Sequence, residues 1–397
     1  MRQAALLVED GGALPRGFVA ALFGRAAAED LVAYSAQEIA ALARAGFEHL
    51  RERKLGVPGL AVSDPPPAAG PSLAAVTVVE ICNDDMPFLL DSVLGEIAAH
   101  GSATRLVVHP IFTVERDAAG KLVAWKGEAP TKAKEHRESF IHVHIDRIDR
   151  ARATALERAL QVTLAEVRVA VSDWKKMRAE VQAAIDDLKK KSSPLPKEEV
   201  SEAAAFLEWL LADNFTFLGC REYVFAGEGD KTELDPAYET GLGILRASDV
   251  RVLRRGGELV TMTPELREFM RLPAALIITK ANVRSRVHRR VHMDYIGIKR
   301  FDAKGRLVGE LRIVGLFTST AYMHAAADIP YLRRKVERTL KRAGFDPASH
   351  SGKSLLNVLE TYPRDELFQI DDDLLYHNAL AILELEERPR VRVLARR

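Results

Sequence analysis

The stretch Ala74-Ala75-Val76-Thr77-Val78-Val79-Glu80-Ile81-Cys82-Asn83-Asp84-Asp85-Met86-Pro87-Phe88-Leu89-Leu90-Asp91-Ser92-Val93 joins a β-rich run, an acidic turn and the apolar start of a helix. Its β-branched residues predict a strand, and Asn83-Asp84-Asp85 stops it. A helix is expected from about Met86 to His100, with Pro87 in its first turn, Phe88, Leu89, Val93, Leu94 and Ile97 apolar, and Gly101 suited to end it. Such a corner presents backbone N–H groups that have no partner inside the helix, a setting that favours a small anion. Asn83, Asp84, Asp85, Met86, Pro87 and Asp91 are therefore candidates for binding an effector or a neighbouring surface. The plainer reading, in which Asp84 or Asp85 caps the helix while Phe88, Leu89 and Val93 enter the core, is compatible with that role.

Working outward, Leu106, Val108, Phe112 and Val114 mark a second strand. Asp117-Ala118-Ala119-Gly120 has hairpin-turn composition and leads back through Leu122-Val123-Ala124-Trp125. Phe140 to Asp146 alternates as a strand, and Ala151 to about Ala165 has helical period. Val167-Arg168-Val169-Ala170-Val171 reads equally as a closing strand or as a continuation of that helix toward Trp174 and Met177. Residues 73–172 thus predict an α+β domain of one sheet and helices. Ahead of it, residues 1–63 read as a helical segment in which Ser35-Ala36-Gln37-Glu38 matches a capping box, and the Pro-rich residues 64–72 read as a linker and domain boundary.

Downstream, residues 173–212 are expected as a helical linker and 213–325 as a domain dominated by antiparallel strands. Phe215 to Tyr223, Gly241 to Leu245, Leu276 to Lys280, Val291 to Phe301 and Leu307 to Thr318 are strand-like, the last two joined by the turn Asp302-Ala303-Lys304-Gly305. A short helix is expected from Thr263-Pro264-Glu265 toward Met270. Residues 326–388 read as helical, and 389–397 as the first strand of a further domain that a longer polypeptide would complete.

The 397 residues, 47% hydrophobic and 28% charged, are enough for two or three domains with real cores. With 57 basic and 56 acidic residues the net charge is +1, so no global field selects nucleic acid or an anionic membrane as partner. Cys82 and Cys220 each sit in an apolar run, which predicts reduced buried thiols and argues against a disulfide framework. The first residues do not pair a basic flank with an apolar run, and no apolar stretch is long enough to cross a bilayer, so a cytoplasmic protein is expected.

Motifs for catalysis are incomplete. Gly241-Leu242-Gly243 has Arg246 where a dinucleotide loop needs its third glycine. His350-Ser351-Gly352-Lys353-Ser354 lacks the first glycine of a phosphate loop, which would fall at Pro347, and reads instead as a helix start. His142 and His144, two apart on a strand, share a face and could serve a metal, but without a third ligand a partly exposed sheet face is the expectation, and no metal site is assigned. Arg284, Arg286, His288, Arg290 and His292 alternate, and this period-two spacing predicts all five on one strand face as a cationic stripe. Such a stripe suits an anionic metabolite or an acidic protein surface; nucleic acid is not expected, since only Tyr295 lies close among aromatics.

The segment Ala74 to Val93 resembles the first strand, loop and helix of ACT regulatory domains, and the strand-rich second domain is similar to PAS-like sensory folds. Several segments together resemble one family, the large bacterial NAD-specific glutamate dehydrogenases. They are Asn83 to Val93, His109-Pro110-Ile111, Glu138-Ser139-Phe140, Phe215 to Gly219, Thr279 to Arg289, Val314 to Thr318 and Tyr362 to Phe368, in order across nearly the whole chain. The resemblance implies a ferredoxin-like ACT-type domain followed by a PAS-like one, with helical segments between and around them, in the non-catalytic N-terminal part of such an enzyme. It further implies that NAD and the oxidation of glutamate to 2-oxoglutarate and ammonia belong to a distant catalytic region, that this fragment holds no cofactor and is inactive alone, and that its partners are that region and neighbouring subunits of a homo-oligomer, with an amino acid as possible effector. A free-standing amino-acid sensor or scaffold built from the same modules is the alternative.

Overall fold

Strand β2 (Val76–Asp84) is buried along almost its whole length, and its interior positions include the polar Thr77, Glu80 and Asn83 as well as apolar residues. It belongs to a computed structural model that describes residues 1–65, 70–190, 194–226, 233–248 and 274–385. The chain forms two compact units: Met1–Val171 with Arg286–Arg290, and Ser172–Ser285 with Val291–Arg397.

In the first unit, β2 lies between β1 (Gly59–Ser63) and β6 (Glu135–Asp146). β6 also pairs with β3 (Thr104–Val108) and with β4 (Ile111–Arg116), and β4 pairs with β5 (Leu122–Trp125) across the expected hairpin. All these pairings are antiparallel, and the β2–β6 register sets Glu80 opposite His142 and Asp84 opposite Glu138. Four helices precede the sheet: α1 (Arg2–Val8), α2 (Phe18–Phe23), α3 (Ala28–Leu31) and α4 (Ala36–Leu50). Phe18, Leu22, Leu42 and Phe47 share one core with Val76, Val78, Phe112 and Phe140, so these helices cover one face of the sheet. Alternate β2 side chains face the other way, toward α5 (Leu89–Ala99) and α6 (Arg150–Lys190); Arg168 of α6 bonds Asn83, and Thr163 of α6 bonds Glu96 of α5.

The Pro-rich stretch expected to bound a domain falls inside this unit, between two paired strands, its residues 66–69 lying outside the described ones. Proline marks a chain that leaves regular structure, but its composition does not say whether the next element packs on the last. Val167–Val171 is helical, part of the 41 residues of α6. Leu156, Leu160, Leu164, Val167 and Ala170 form a buried helical stripe, and that period outweighs the local β-propensity of the valines.

The second unit holds the C-terminal part of α6, α7 (Lys197–Trp209) and an antiparallel sheet ordered β10 (Leu276–Arg284), β11 (His292–Phe301), β12 (Leu307–Phe317), β7 (Phe215–Ala226), β8 (Glu233–Pro236). β9, expected over Gly241 to Leu245, is only Leu242–Gly243 and pairs with β7. Met177, Val181 and Ile185 of α6 and Phe206 and Leu207 of α7 pack on Ile296, Ile298, Leu311 and Ile313. The remaining α-helices among the described residues are α8 (Ser319–Met323), α9 (Leu332–Ala343), α10 (His350–Glu360), α11 (Arg364–Gln369) and α12 (Asp372–Leu383); α9 to α12 have a core of their own. Gly344 ends α9 in the left-handed region at φ 69°, and Ser349 caps α10, so the His350–Ser354 run is the helix start the incomplete phosphate-loop motif suggested. The expected short helix near Met270 and the final strand 389–397 lie outside the described residues.

Candidate functional site

At the end of β2 the chain turns through Asp85, whose N–H donates to Arg137 O at 3.1 Å, and enters α5 at Phe88. The helix starts later than the sequence suggests, and its N-cap is Phe88 at φ 71°, a left-handed conformation that is uncommon for a bulky residue. No side chain caps the helix, so neither Asp84 nor Asp85 takes the expected capping role. The first intrahelical bond runs from Ser92 N–H to Phe88 O, which leaves the Leu89, Leu90 and Asp91 N–H groups ahead of it. These three residues are among those that line an open recess of about 390 Å³, with Asp85, Met86, Pro87, Phe88, His109 and Ile111. His109 Nε2 pairs with Ser139 Oγ at 2.7 Å, and burial pushes its pKa down, so it enters the recess wall as a neutral ring.

The polar residues expected at this corner take different partners. Asn83 Oδ1 accepts from Arg168 at 2.6 Å, and Asp84 accepts from Arg53 and Arg168, each at 2.7 Å. Burial disfavours the Asp84 charge, but those two guanidinium bonds prevail and hold its carboxyl below the usual range. Asp85 meets Arg137 at 3.1 Å, and the more exposed Asp91 meets His288 at 3.0 Å. Asp85, Met86, Pro87 and Asp91 therefore line the recess, while Asn83 and Asp84 tie the strand end to α6 and to Arg53.

Behind them lies an ionic cluster that local sequence reading misses. Glu138 has no exposed surface and accepts from Arg53 Nη2, Arg116 Nε and Arg116 Nη2, each at 2.7 Å. The Cys82 thiol donates to the same carboxylate at 3.1 Å; burial first, and the neighbouring Glu138 charge second, push its pKa up, which keeps it an unreactive thiol. Arg116 also bonds the carbonyls of Leu50 and Gly120, each at 2.9 Å, binding α4 and the β4–β5 turn to the sheet.

The cationic stripe is not a strand. β10 ends at Arg284 and β11 begins at His292, so Arg286, His288 and Arg290 lie on the connection and the period-two argument fails there. Within the first unit, Arg286 pairs with Glu166 at 2.9 Å, His288 with Asp91, and Arg290 with Glu96, while the His288 N–H donates to Ser92 Oγ at 2.9 Å. His292 Nδ1 lies 3.0 Å from Ala281 O in the second unit, apart from these three. Three of the five like charges, Arg286, His288 and Arg290, are thus paired with acids of the same chain, and Glu96 lies within reach of both arginines.

His142 and His144 do share a face, but both are fully buried, contrary to the expected half-exposed sheet surface. Tyr34 Oη is 2.7 Å from His144 Nδ1, His144 Nε2 is 2.9 Å from His142 Nε2, and His142 Nδ1 is 3.0 Å from Glu80 Oε1. One assignment satisfies every contact: Tyr34 donates to His144, His144 to His142, and His142 to the Glu80 carboxylate. Burial and the adjacent His142 push the His144 pKa down to about 2. Among the described residues no group of three or more His, Cys, Asp or Glu side chains is placed to hold a metal ion.

The family model described as glutamate dehydrogenase, ACT1 domain matches residues 18–160, and that described as glutamate dehydrogenase, helical motif 1 matches residues 329–388. The chain is 38% identical over 322 residues to the NAD-specific glutamate dehydrogenase of Halomonas elongata, an alignment covering 81% of this chain and 20% of the relative. It is 38% identical over 324 residues to the NAD-specific glutamate dehydrogenase of Pseudomonas aeruginosa, with the same 81% and 20% coverage. The Mycobacterium tuberculosis protein of that name is 28% identical over 347 residues, covering 84% of this chain and 19% of the relative.

The chain belongs to the NAD-specific glutamate dehydrogenase family. It spans about a fifth of the length of these relatives. The ACT1 match begins at α2 and reaches into α6, so α2 to α4 fall within it and α1 lies ahead of it. The helical motif coincides with α9 to α12. Among the described residues no helix is long and apolar enough to cross a membrane.

Proposed function

We propose that this chain is a regulatory and assembly region of a cytoplasmic NAD-dependent glutamate dehydrogenase, the enzyme converting L-glutamate, NAD and water to 2-oxoglutarate, ammonia and NADH, with catalysis and the NAD site in other parts of the protein. In this reading the region lies N-terminal to the catalytic part and senses a small effector at the end of β2. The sheet of the second unit serves as a PAS-like module, and the whole packs against the catalytic region and neighbouring subunits of a homo-oligomer.

The observation that carries this reading is the recess of about 390 Å³ walled by the first turn of α5. An amino acid fits its chemistry: the carboxylate takes the Leu89 to Asp91 N–H groups, and the ammonium group takes Asp85 or Asp91 at the rim. Regulation follows only where the bound and free states differ in their affinity for the ligand.

Isothermal titration of the whole chain with a panel of amino acids tests the sensing role. Saturable one-to-one binding of at least one of them is expected, weakened about tenfold by Asp91→Asn, equivalent to about 1.4 kcal/mol. No saturable heat from any amino acid, or binding indifferent to Asp91→Asn, overturns the assignment to this corner.

A further inference from the structure

A buried hydroxyl fixes which nitrogen of His109 is offered to the recess at the start of α5. Ser139, on β6, has no exposed surface, and among the described residues its Oγ has one hydrogen-bond partner, His109 Nε2 at 2.7 Å. A buried hydroxyl whose hydrogen met nothing would be left unsatisfied, so the Ser139 O–H donates and Nε2 accepts. Burial lowers the His109 pKa more than the nearby Asp85 and Asp91 carboxylates raise it, which leaves the ring neutral at pH 7. A neutral imidazole carries one N–H, and with Nε2 accepting, the proton sits on Nδ1. Nδ1 has no hydrogen-bond partner among the described residues and is not sealed in the interior, so its N–H is open to a molecule in the recess that His109 lines.

The backbone holds the ring in place. His109 lies at the corner between β3 and β4, and the Pro110 that follows restricts it to extended conformations. Pro110 O accepts from the Phe140 N–H at 2.9 Å, and Ile111 pairs with Ser139 across the β4–β6 ladder, so the corner is fastened to the same stretch of β6 that supplies the hydroxyl.

The rest of the lining sets the charge of the ligand. It includes the carboxylates of Asp85 and Asp91 and no lysine or arginine. A neutral His109 adds a donor but no positive charge, so a bare carboxylate entering here would meet like charges with no cation in the lining to offset them. A molecule that carries an ammonium group beside its carboxylate avoids that penalty, because the acids then face the ammonium. Met86, Leu90 and Ile111 remain for an apolar side chain.

We propose that His109 is the specificity-determining residue of this recess, its Nδ1–H donating to the carboxylate of a zwitterionic α-amino acid whose ammonium group pairs with Asp85 or Asp91. The inference rests on the sensing role proposed for the recess, and it adds the residue that separates an amino acid from an amine of the same shape.

Nitrogen-15 NMR of the ligand-free full chain with labelled histidine, the His109 signals being those lost in His109→Asn, tests the tautomer at about pH 7.5. Nδ1 protonated and Nε2 unprotonated is expected; the reverse overturns the proposal whether or not any amino acid binds. Calorimetric titration with L-valine, isobutylammonium chloride and sodium isovalerate should give one-to-one binding of valine, binding of the amine at least about tenfold weaker, and no binding of isovalerate. His109→Asn sets an amide N–H near the place of Nδ1–H and keeps valine affinity within about threefold, whereas His109→Gln sets its amide at the place of Nε2 and lowers the affinity about tenfold or more. Should His109→Gln fold poorly, Ser139→Ala replaces it, since it frees the ring to take either tautomer and weakens valine binding. Valine and isobutylammonium binding alike, equal affinities in His109→Asn and His109→Gln, or undiminished binding in Ser139→Ala overturns the proposal. Absence of heat with every amino acid overturns the sensing role and this proposal with it, while binding indifferent to His109 overturns this proposal alone.

Discussion

A carboxylate with no exposed surface, such as Glu138, is tolerated only while its oxygens are met by charged donors, and here Arg53, Arg116 and the Cys82 thiol meet them. Removing the acid leaves two guanidinium groups facing each other in the interior. Glu138→Ala is therefore expected to destabilise the first unit by about 3–5 kcal/mol, read from urea denaturation, whereas a loss below about 1 kcal/mol would mean that the arginines find other partners. Sequence alone marks Glu138 only as one residue of a family segment. Its partners are Arg53 and Arg116, separated from it by 85 and 22 positions, and no local period announces either. The same separation hid the Tyr34–His144 contact, 110 positions apart, although the shared face of His142 and His144 was legible from their spacing. The run from Arg284 to His292 shows the opposite error: alternation is a strand argument only where a strand exists, and the chain leaves β10 at Arg284.

Among the elements, α4 was the most legible from its start signal. Ser35 Oγ accepts from Glu38 N–H at 3.2 Å and Glu38 accepts from Ser35 N–H at 2.8 Å, the reciprocal pair that the Ser-Ala-Gln-Glu spacing predicts. Glu38 does more than the motif requires, since its other oxygen accepts from Ser72 N–H at 2.8 Å and so joins α4 to the approach to β2. Ser35→Ala should cost about 1 kcal/mol. Glu38→Ala should cost more than Ser35→Ala, because it leaves the Ser35 and Ser72 N–H groups unmet; equal losses in thermal or urea unfolding would show that the Ser72 bond contributes nothing. The length of α6 was not legible, because Val167, Val169 and Val171 favour strands locally and only the buried stripe from Leu156 to Ala170 resolves their conformation.

Across the whole molecule the ionisable interior sets how stability follows pH. Glu80, Asp84 and Glu138 in the first unit and Asp173 and Glu202 in the second have carboxyls held below the usual range, in each case against burial and through hydrogen bonds to arginine, histidine or backbone N–H groups. A folded pKa below the unfolded one means that the unfolded chain binds more protons, so this stability is present above the unfolded carboxylate range and is lost as pH falls through it, below about 4. His144, pushed down to about 2 by burial and His142, acts by the same sign from a higher starting point. Its contribution begins to be lost below about 6.5, where an unfolded histidine takes up a proton. Glu166 and Asp294 oppose the trend, since burial raises both carboxyls despite their basic partners. Urea unfolding measured between pH 7 and pH 3 should therefore weaken in two stages, and the earlier stage should shrink in His144→Phe. A stability that is flat from pH 7 to pH 5 and unaffected by that substitution would show that the buried imidazole protonates without penalty.

The sequence by itself determined the elements whose cause is local: the strand and acidic turn at Val76 to Asp85, the α4 start, both hairpin turns, the antiparallel strands of the second unit and the family to which these segments belong. Those depend on propensity, spacing and turn chemistry within a few residues. Only the tertiary structure decided what surrounds them. It packed α1 to α4 on one face of the sheet, joined Asp84 to Arg53 and Arg168, paired Arg286, His288 and Arg290 with acids of their own chain, and buried His142 and His144 in line with Glu80 and Tyr34. Each of those outcomes follows from burial, which brings distant residues out of water together and makes their charges and hydrogen bonds depend on partners that no local pattern specifies.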